Sequence, residues 1–322
     1  MQLLANIHTP VTQVSVSTTA RLHMGFYDLL HENRFGSLGV CLDSPATQIC
    51  IKKSEATLII AENDEYDEHI VKIVDKFVKA LNLKEHFTLN VKKAMPAHVG
   101  FGSGTQMALA IGAGLNQLFN LNLSVPQLAA IANRGKRSGI GMATFIQGGF
   151  IVDSGKTNGQ LPEIANRQLV PERWHFLLIS DSAHVGVHDA AELHAFKTLK
   201  PAPYSVKNLV LNNMIPAVAR DDLLAFGAYM MDLQAYNGEY FAPIQGGHYA
   251  SQDVSEVLAW LQQHGAPCIG QSSWGPTGFA IVGSAELAES LINKAQLEFA
   301  GKPNISFSVS RGKNTGATTQ LA

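Results

Sequence analysis

The chain has 322 residues, 46% of them hydrophobic and 16% charged, which excludes a disordered chain and allows two domains with a substantial core. Lys and Arg number 24 against 26 Asp and Glu, a formal net charge of −2, so no global field draws in nucleic acid or an anionic membrane and any anion site must be built locally. Cys41, Cys50 and Cys268 form no disulfide framework and have no metal-ligand spacing, so they read as buried thiols.

Residues Met1 to His8 lack a basic region followed by a sustained apolar core, and no apolar run reaches transmembrane length. A cytoplasmic, soluble protein without a signal peptide is expected. Residues from about 11 to 60 read as strand-rich, with Val14-Ser15-Val16-Ser17 alternating and Thr57-Leu58-Ile59-Ile60 apolar. Helical spacing follows from Ile70 to Leu81, then a strand over Phe87-Thr88-Leu89-Asn90-Val91 and a helix carrying Met107, Ile111, Leu115 and Leu118. Ser124-Val125-Pro126-Gln127 has the spacing of a capping box and announces a helix ending near Asn133-Arg134-Gly135.

Gly148 to Asp153 reads as a strand, and the polar run Asp153 to Gln160 as a loop close to a domain boundary. A strand over Trp174 to Ser180 opens the second half, and helical pattern dominates from Val206 to Tyr236. The tail reads as helix (Val254 to His264), strand, strand (Gly278 to Val282), helix (Ala285 to Phe299) and strand (Ile305 to Ser310), a split β-α-β order in an α+β domain.

Between the strand at Phe87 and the helix at Met107 lies Pro96-Ala97-His98-Val99-Gly100-Phe101-Gly102-Ser103-Gly104-Thr105. A glycine-rich loop opening a helix leaves backbone N–H groups unpaired at the positive end of the helix dipole. Its backbone can approach phosphate oxygens closely, and Gly100, Gly102, Ser103, Gly104 and Thr105 are the candidate cradle. The loop is neither a P-loop nor G-x-G-x-x-G, and a tight turn with a Ser cap is its plain alternative.

Other segments carry polar clusters. Alternation puts Arg21 and His23 on one strand face, with Asp28, His31 and Arg34 behind them, suited to clamping a phosphate or carboxylate. Arg134, Lys136 and Arg137 crowd ahead of a Ser138-Gly139-Ile140-Gly141 turn, as an anion site or as ordinary helix-end cations. Gln271, Ser272, Ser273 and Trp274 occupy a glycine-punctuated turn between two strands, able to hold hydroxyl or pyrophosphate groups and stack an aromatic ring. Gly246-Gly247-His248-Tyr249 reads as a turn. His184, His188 and His194 with Asp181, Asp189 and Glu192 lack an H-E-x-x-H pattern, and Gly186 argues against one continuous helix, so no dedicated metal cage is expected. His8, His69, His86 and His175 read as surface or structural.

The glycine run resembles the second motif of the GHMP kinase superfamily, Pro-x-x-x-Gly-Leu-Gly-Ser-Ser, and Ala20-Arg21-Leu22-His23 and Gly270 to Gly278 fall in that superfamily's order. The resemblance implies an α+β, two-domain GHMP-kinase-like fold: an S5-domain-2-like half at 1–165 and a ferredoxin-like half at 166–322. Kinases of this group carry an aspartate in Ser-Gly-Val-Asp-Asn-Ala and a second loop serine that binds Mg²⁺; Gly141 and Gly104 stand at those places here. Glycine supplies neither base nor metal ligand, which sets phosphoryl transfer apart from phosphate binding.

Five segments spread along the chain are similar to the β-ribofuranosylaminobenzene 5′-phosphate synthase family: Ala20 to Leu29, Gly100 to Gln106, Arg134 to Gly141, Gly148 to Gly155 and Gly270 to Thr277. That resemblance implies transfer from phosphoribosyl pyrophosphate, with Mg²⁺, to 4-hydroxybenzoate or 4-aminobenzoate, with loss of CO₂ and pyrophosphate, in tetrahydromethanopterin biosynthesis. It also implies a homodimer. On this reading Arg134 and Arg137 supplement the cradle, Arg21, His23 and Asp28 line the reacting centre, and Gln271 to Trp274 hold the ribose phosphate or the ring. Two other readings remain: an ATP-dependent small-molecule kinase of the same superfamily, and a phosphometabolite-binding relative without catalysis.

Overall fold

A computed structural model describes residues 11–31, 34–61, 64–155, 161–184, 186 and 189–322, the side chains of 30, 31, 34, 64–67 and 189–193 lying outside that description. The readings of Met1 to His8, of the loop at Lys156 to Gln160 and of His188, and the side-chain readings of His31, Arg34, Asp189 and Glu192, therefore fall outside the described residues.

Two long strands, β1 (Gln13–His31) and β2 (Arg34–Lys53), pair antiparallel as the spine of the first sheet. β3 (Leu58–Ala61) follows, then α1 (Asp64–Leu81) and β4 (Phe87–Lys93), which pairs with β2 antiparallel and with β3 parallel. Helices α2 (Ser103–Leu118) and α3 (Val125–Ile131) complete this layer. Alternate apolar residues of the strands, among them Val14, Val16, Ile49, Ile51 and Leu89, meet Ile73, Phe77, Ile111 and Leu115 of the helices in one buried cluster. The capping box at Ser124 and Gln127 forms as its spacing predicts.

Past α3 the structure adds two elements absent from the sequence reading, over residues 140–147 and 164–168, around the strand expected at Gly148 to Asp153. Where a turn was expected at Ser138 to Gly141, helix α4 (Ile140–Gln147) begins, so Gly141 lies in a first helical turn. β5 (Phe150–Asp153) pairs with β2, and β6 (Ile164–Gln168) pairs with β5. The sequence-level division at 165/166 falls within β6.

The second sheet begins with β7 (His175–Asp181), after which come α5 (Asp189–Thr198), a π-helical stretch (Leu209–Met214), α6 (Ile215–Ala219) and the long α7 (Leu223–Gln245). Helix α8 (Gln252–Gln263), the hairpin β8 (Cys268–Gln271) and β9 (Thr277–Val282), α9 (Ala285–Glu298) and β10 (Ile305–Arg311) follow. The order β10-β7-β9-β8, antiparallel throughout, is that of a ferredoxin-like sheet. The last strand, β11 (Thr318–Leu321), returns to the first sheet beside β1.

Both faces of the second sheet are covered. Leu177, Ile179, Ala280 and Val282 pack on α8 and α9, while Phe176, Leu178, Phe279 and Ile281 join the largest cluster, shared with α7 and the inner residues of β1 and β2. That shared core fixes α7 against β1, and the candidate site lies along this seam. Cys41, Cys50 and Cys268 are buried free thiols, as expected.

Candidate functional site

At one end of the seam the glycine loop turns into α2. Gly102 is the residue before the helix, in the left-handed region at φ 70°, and no side chain caps the helix start. Thr105 and Gln106 N–H both donate to Gly102 O at 3.1 Å, which leaves the Ser103 and Gly104 amides without a backbone acceptor among the described residues. Ser103, Gly104 and Thr105 are half-buried, a depth at which amide donors and helix dipole act on an anion with less screening than at an open surface.

Arg21 reaches this loop from β1. Its N–H donates to Phe101 O at 3.1 Å, and its Nη1 donates to Gly100 O at 3.1 Å. A Cβ on Gly102 would stand 2.8 Å from Arg21 Nε. A side chain here would push the guanidinium aside, and the positive φ is strained for any residue with a Cβ. Ser272 Oγ donates to the same Gly100 O at 2.7 Å and accepts from His23 N–H at 3.1 Å, joining the turn after β8 to both the loop and β1.

The three cations between α3 and α4 separate. Lys136 is exposed, whereas Arg134 and Arg137 are half-buried. Arg134 Nη2 lies 3.3 Å from where a Cβ on Gly104 would be, with His69 Nε2 3.6 Å from the same point, so His69 flanks the cradle on the exposed side. Arg137 holds its guanidinium 5.3 Å from the centre of the Phe196 ring, a cation–π distance. A Cβ on Gly141 would meet Thr105 Cγ2 at 3.0 Å, so position 141 lies against the side chain of the loop's last residue.

Asp153 fixes the segment that carries Arg137, and sequence reading missed it. It accepts from Ser37 N–H at 3.2 Å, Ser37 Oγ at 2.6 Å, Ser138 Oγ at 3.1 Å, Gly139 N–H at 2.8 Å and Gly155 N–H at 2.9 Å. Burial pushes its carboxyl up, and these donors act in the opposite direction. The available signal was an acid closing the apolar strand Phe150-Ile151-Val152.

The other end of the seam is a partly open pocket between β1, α7 and the turn after β8, with His23, Phe26, Asn237, Phe241, Gln271 and Trp274 among its walls. Its shape follows from an irregularity in β1, whose pairing with β2 shifts between His23 and Gly25 and again between Phe26 and Asp28. Gly25 takes φ 136° there. Asn237 of α7 satisfies the bulged backbone, accepting from Phe26 N–H and donating to Phe26 O, both at 2.9 Å. One helical turn back, Gln234 donates to Met24 O at 2.7 Å and accepts from Gln271 N–H at 2.9 Å. Gln234, Asn237, Phe241 and Gln245 share one stripe of α7, and sequence reading missed them because amides and aromatics at helical spacing look like ordinary packing.

Arg21 and His23 do share a strand face, as alternation predicts, because no register shift separates them. His23 is 3% exposed and neither ring nitrogen has a hydrogen-bond partner. Burial, helped by Arg21 and then Arg137, lowers its pKa to about 3, so the imidazole is neutral at physiological pH. Its ring lies 4.6 Å from that of Phe26, and Trp274 lies 4.4 Å from Phe241. Gln271 is committed to Ala250 N–H, Ser273 O and Gln245 Oε1, and Ser273 N–H donates to His23 O at 2.9 Å.

Asp28 is placed past the second register shift and is not among the pocket walls. It lies by Tyr27 and Tyr236, whose phenols are pushed up mainly by burial, with Asp28 adding to the shift. His248, read as part of a turn, lines the pocket beyond the left-handed Gly246 that ends α7. Among the described residues no three His, Cys, Asp or Glu side chains gather as metal ligands, and Gly104 and Gly141 offer none at the cradle. At the cradle the described side chains that could take a place on a Mg²⁺ are the hydroxyls of Ser103 and Thr105. No helix of the described residues is long and apolar enough to cross a membrane.

Residues 68–149 match the GHMP kinases N terminal domain and residues 214–301 the GHMP kinases C terminal domain. The chain is 30% identical over 296 residues to a protein of Methanocaldococcus jannaschii named beta-ribofuranosylphenol 5′-phosphate synthase, covering 82% of this chain and 88% of that one. A protein of the same name from Methanothermobacter thermautotrophicus is 28% identical over 299 residues, 84% of this chain and 89% of the relative. Among solved structures, homoserine kinase from Cytophaga hutchinsonii superposes with a TM-score of 0.68 at 16% identity, over 99% of this chain and 100% of that one.

Proposed function

Because the chain belongs to the beta-ribofuranosylphenol 5′-phosphate synthase family, of GHMP fold, we propose that it joins phosphoribosyl pyrophosphate to 4-hydroxybenzoate or 4-aminobenzoate in tetrahydromethanopterin biosynthesis. One observation carries this reading. The cradle keeps its amide donors and cations, while position 141, which lies against Thr105, is a glycine with no carboxylate.

The Ser103 and Gly104 amides and Arg134 bind the diphosphate of the donor, and Arg21 and Arg137 neutralise charge that grows as pyrophosphate leaves. The C1–O bond breaks with its electron pair going to pyrophosphate, and C1 gains oxocarbenium character. The ring carbon bearing the acceptor's carboxylate attacks C1. The bond from that carbon to the carboxylate then breaks, its electron pair restores aromaticity, and CO₂ leaves. No hydroxyl proton has to be removed, so a site without a kinase's base is sufficient. His23, its pKa lowered to about 3, serves as a neutral group and not as a proton acceptor. A Mg²⁺ bound with the donor would help to neutralise the charge of the departing diphosphate, beside the hydroxyls of Ser103 and Thr105. A cytoplasmic homodimer comes with the family resemblance, and sedimentation velocity reads the dimer directly.

The test is incubation with phosphoribosyl pyrophosphate, Mg²⁺ and carboxyl-labelled 4-hydroxybenzoate or 4-aminobenzoate. Labelled CO₂ released only when the donor is present is the expected result. Phosphorylation of a small alcohol by ATP, with no CO₂ from either benzoate, overturns it.

A further inference from the structure

The two ends of the seam differ in charge. Arg21 and Arg134 stand at the cradle and Arg137 stacks on Phe196, behind the rings of Phe26, Phe241 and Trp274, but no Lys, Arg, Asp or Glu side chain is among the walls of the pocket itself. A phosphate or carboxylate buried there would meet no Lys or Arg among the walls, only the imidazoles of His23 and of the exposed His248, and an anion buried without a paired charge is costly. The pocket suits an uncharged group flanked by rings, since Phe26, Phe241 and Trp274 supply apolar walls.

Its buried polar walls are mostly committed. Gln234 binds the backbone of Met24 and Gln271. Asn237 binds both backbone groups of Phe26 and also Leu233 O. Gln271 binds Ala250, Ser273 and Gln245. His23 is the exception, buried with two unmet ring nitrogens. Leaving such a group unpaired costs on the order of 1–3 kcal/mol. Its backbone is clamped by Ser272 and Ser273 on both sides, so the ring stays against the pocket wall.

We propose that this pocket takes the arene of the acceptor, and that His23 is the specificity-determining residue that hydrogen-bonds an uncharged hydroxyl or amino group para to the carboxylate. The inference rests on the arene acceptor of the proposed function. The acceptor's carboxylate belongs at the reacting carbon, on the side of Arg21, which leaves the opposite ring position to reach His23, two residues further along the same face of β1. A neutral imidazole offers one N–H and one lone pair, which match a hydroxyl or an amine and not a second carboxylate. Terephthalate, anionic at the para position, is excluded.

The experiment is isothermal titration of the protein with 4-hydroxybenzoate, benzoate and terephthalate, without donor, in the wild type, His23→Phe and His23→Gln. His23→Phe is expected to weaken 4-hydroxybenzoate about tenfold and to leave benzoate within about twofold, because only the first loses a hydrogen bond. His23→Gln, which keeps a donor and an acceptor, should restore most of that loss and guards against a folding defect in the first variant. An unchanged ratio of 4-hydroxybenzoate to benzoate affinity in both variants overturns the proposal, as does wild-type binding of terephthalate. Labelled CO₂ release with an unchanged ratio would sink this proposal and leave the proposed function standing. His23-dependent arene binding with no CO₂ release would do the reverse.

Discussion

The cradle and the arene pocket lie on one seam, but the chain builds them by different means. The proposed cradle comes from one short loop, Gly100 to Thr105, flanked by Arg21 and Arg134, and offers main-chain amides and guanidinium groups. The pocket is assembled from β1, a stripe of α7 and the turn after β8, and it offers shape, rings and the neutral imidazole of His23, with His248 at its exposed side. Charge recognition can be local because a helix start supplies its own field. An uncharged cavity needs walls from several elements, so its integrity depends on the amides of α7 that bind β1 where its pairing slips.

The largest effect should come from breaking the cradle alone. Gly102→Val puts a branched side chain where a Cβ already stands 2.8 Å from Arg21 Nε, at φ +70°. Donor affinity should fall by about a hundredfold or more and arene affinity by much less, because the clash disturbs several amide donors of the cradle at once but only Arg21 of the groups that face the arene. Equal loss of both ligands would mean that the two ends are not separate.

Next in size is damage to the other end. Asn237→Ala leaves the N–H and C=O of Phe26 buried without their partners, and should cost about 2–4 kcal/mol in urea unfolding. Arene affinity should fall in the same variant, with donor affinity within about threefold of wild type because the cradle is untouched. A variant that loses donor binding first would reverse the assignment of the two ends.

The smallest effect sharpens the contrast in charge. His23 has its pKa lowered from 6.5 to about 3, so the folded protein excludes a proton that the unfolded chain takes up. Its contribution to stability is fully present above pH 6.5 and declines as pH falls towards 3, by about 1.4 kcal/mol per pH unit. Between pH 6.5 and 5 the wild type should lose about 2 kcal/mol more than His23→Gln in urea unfolding. Parallel losses would show that the imidazole is not held neutral.

The same contrast explains what could be read from sequence. The two-half architecture was legible because long alternating and helical patterns dominate those segments, and the cradle was legible because glycines before a helix have a backbone meaning. Gly141 standing where kinases carry an acid was visible too. The start of α4 was read as a turn because Ser138-Gly139-Ile140-Gly141 has poor helix propensity, which packing overrode. Asp28 was grouped with Arg21 and His23 by counting along the strand, and the register shifts that separate them leave no mark in composition. Gln234, Asn237 and Phe241 were missed because their partners on β1 lie about two hundred residues away, as in the |i−j| of 211 between Phe26 and Asn237.

The most direct measurement is a crystal structure of the protein with phosphoribosyl pyrophosphate and benzoate, which lacks the para group that activates the ring. The account predicts diphosphate oxygens on the amides of Ser103 and Gly104 beside Arg134, with the benzoate ring against Trp274 and its carboxylate towards Arg21. A diphosphate bound away from that helix start, or a ring lying in the glycine loop, would contradict it.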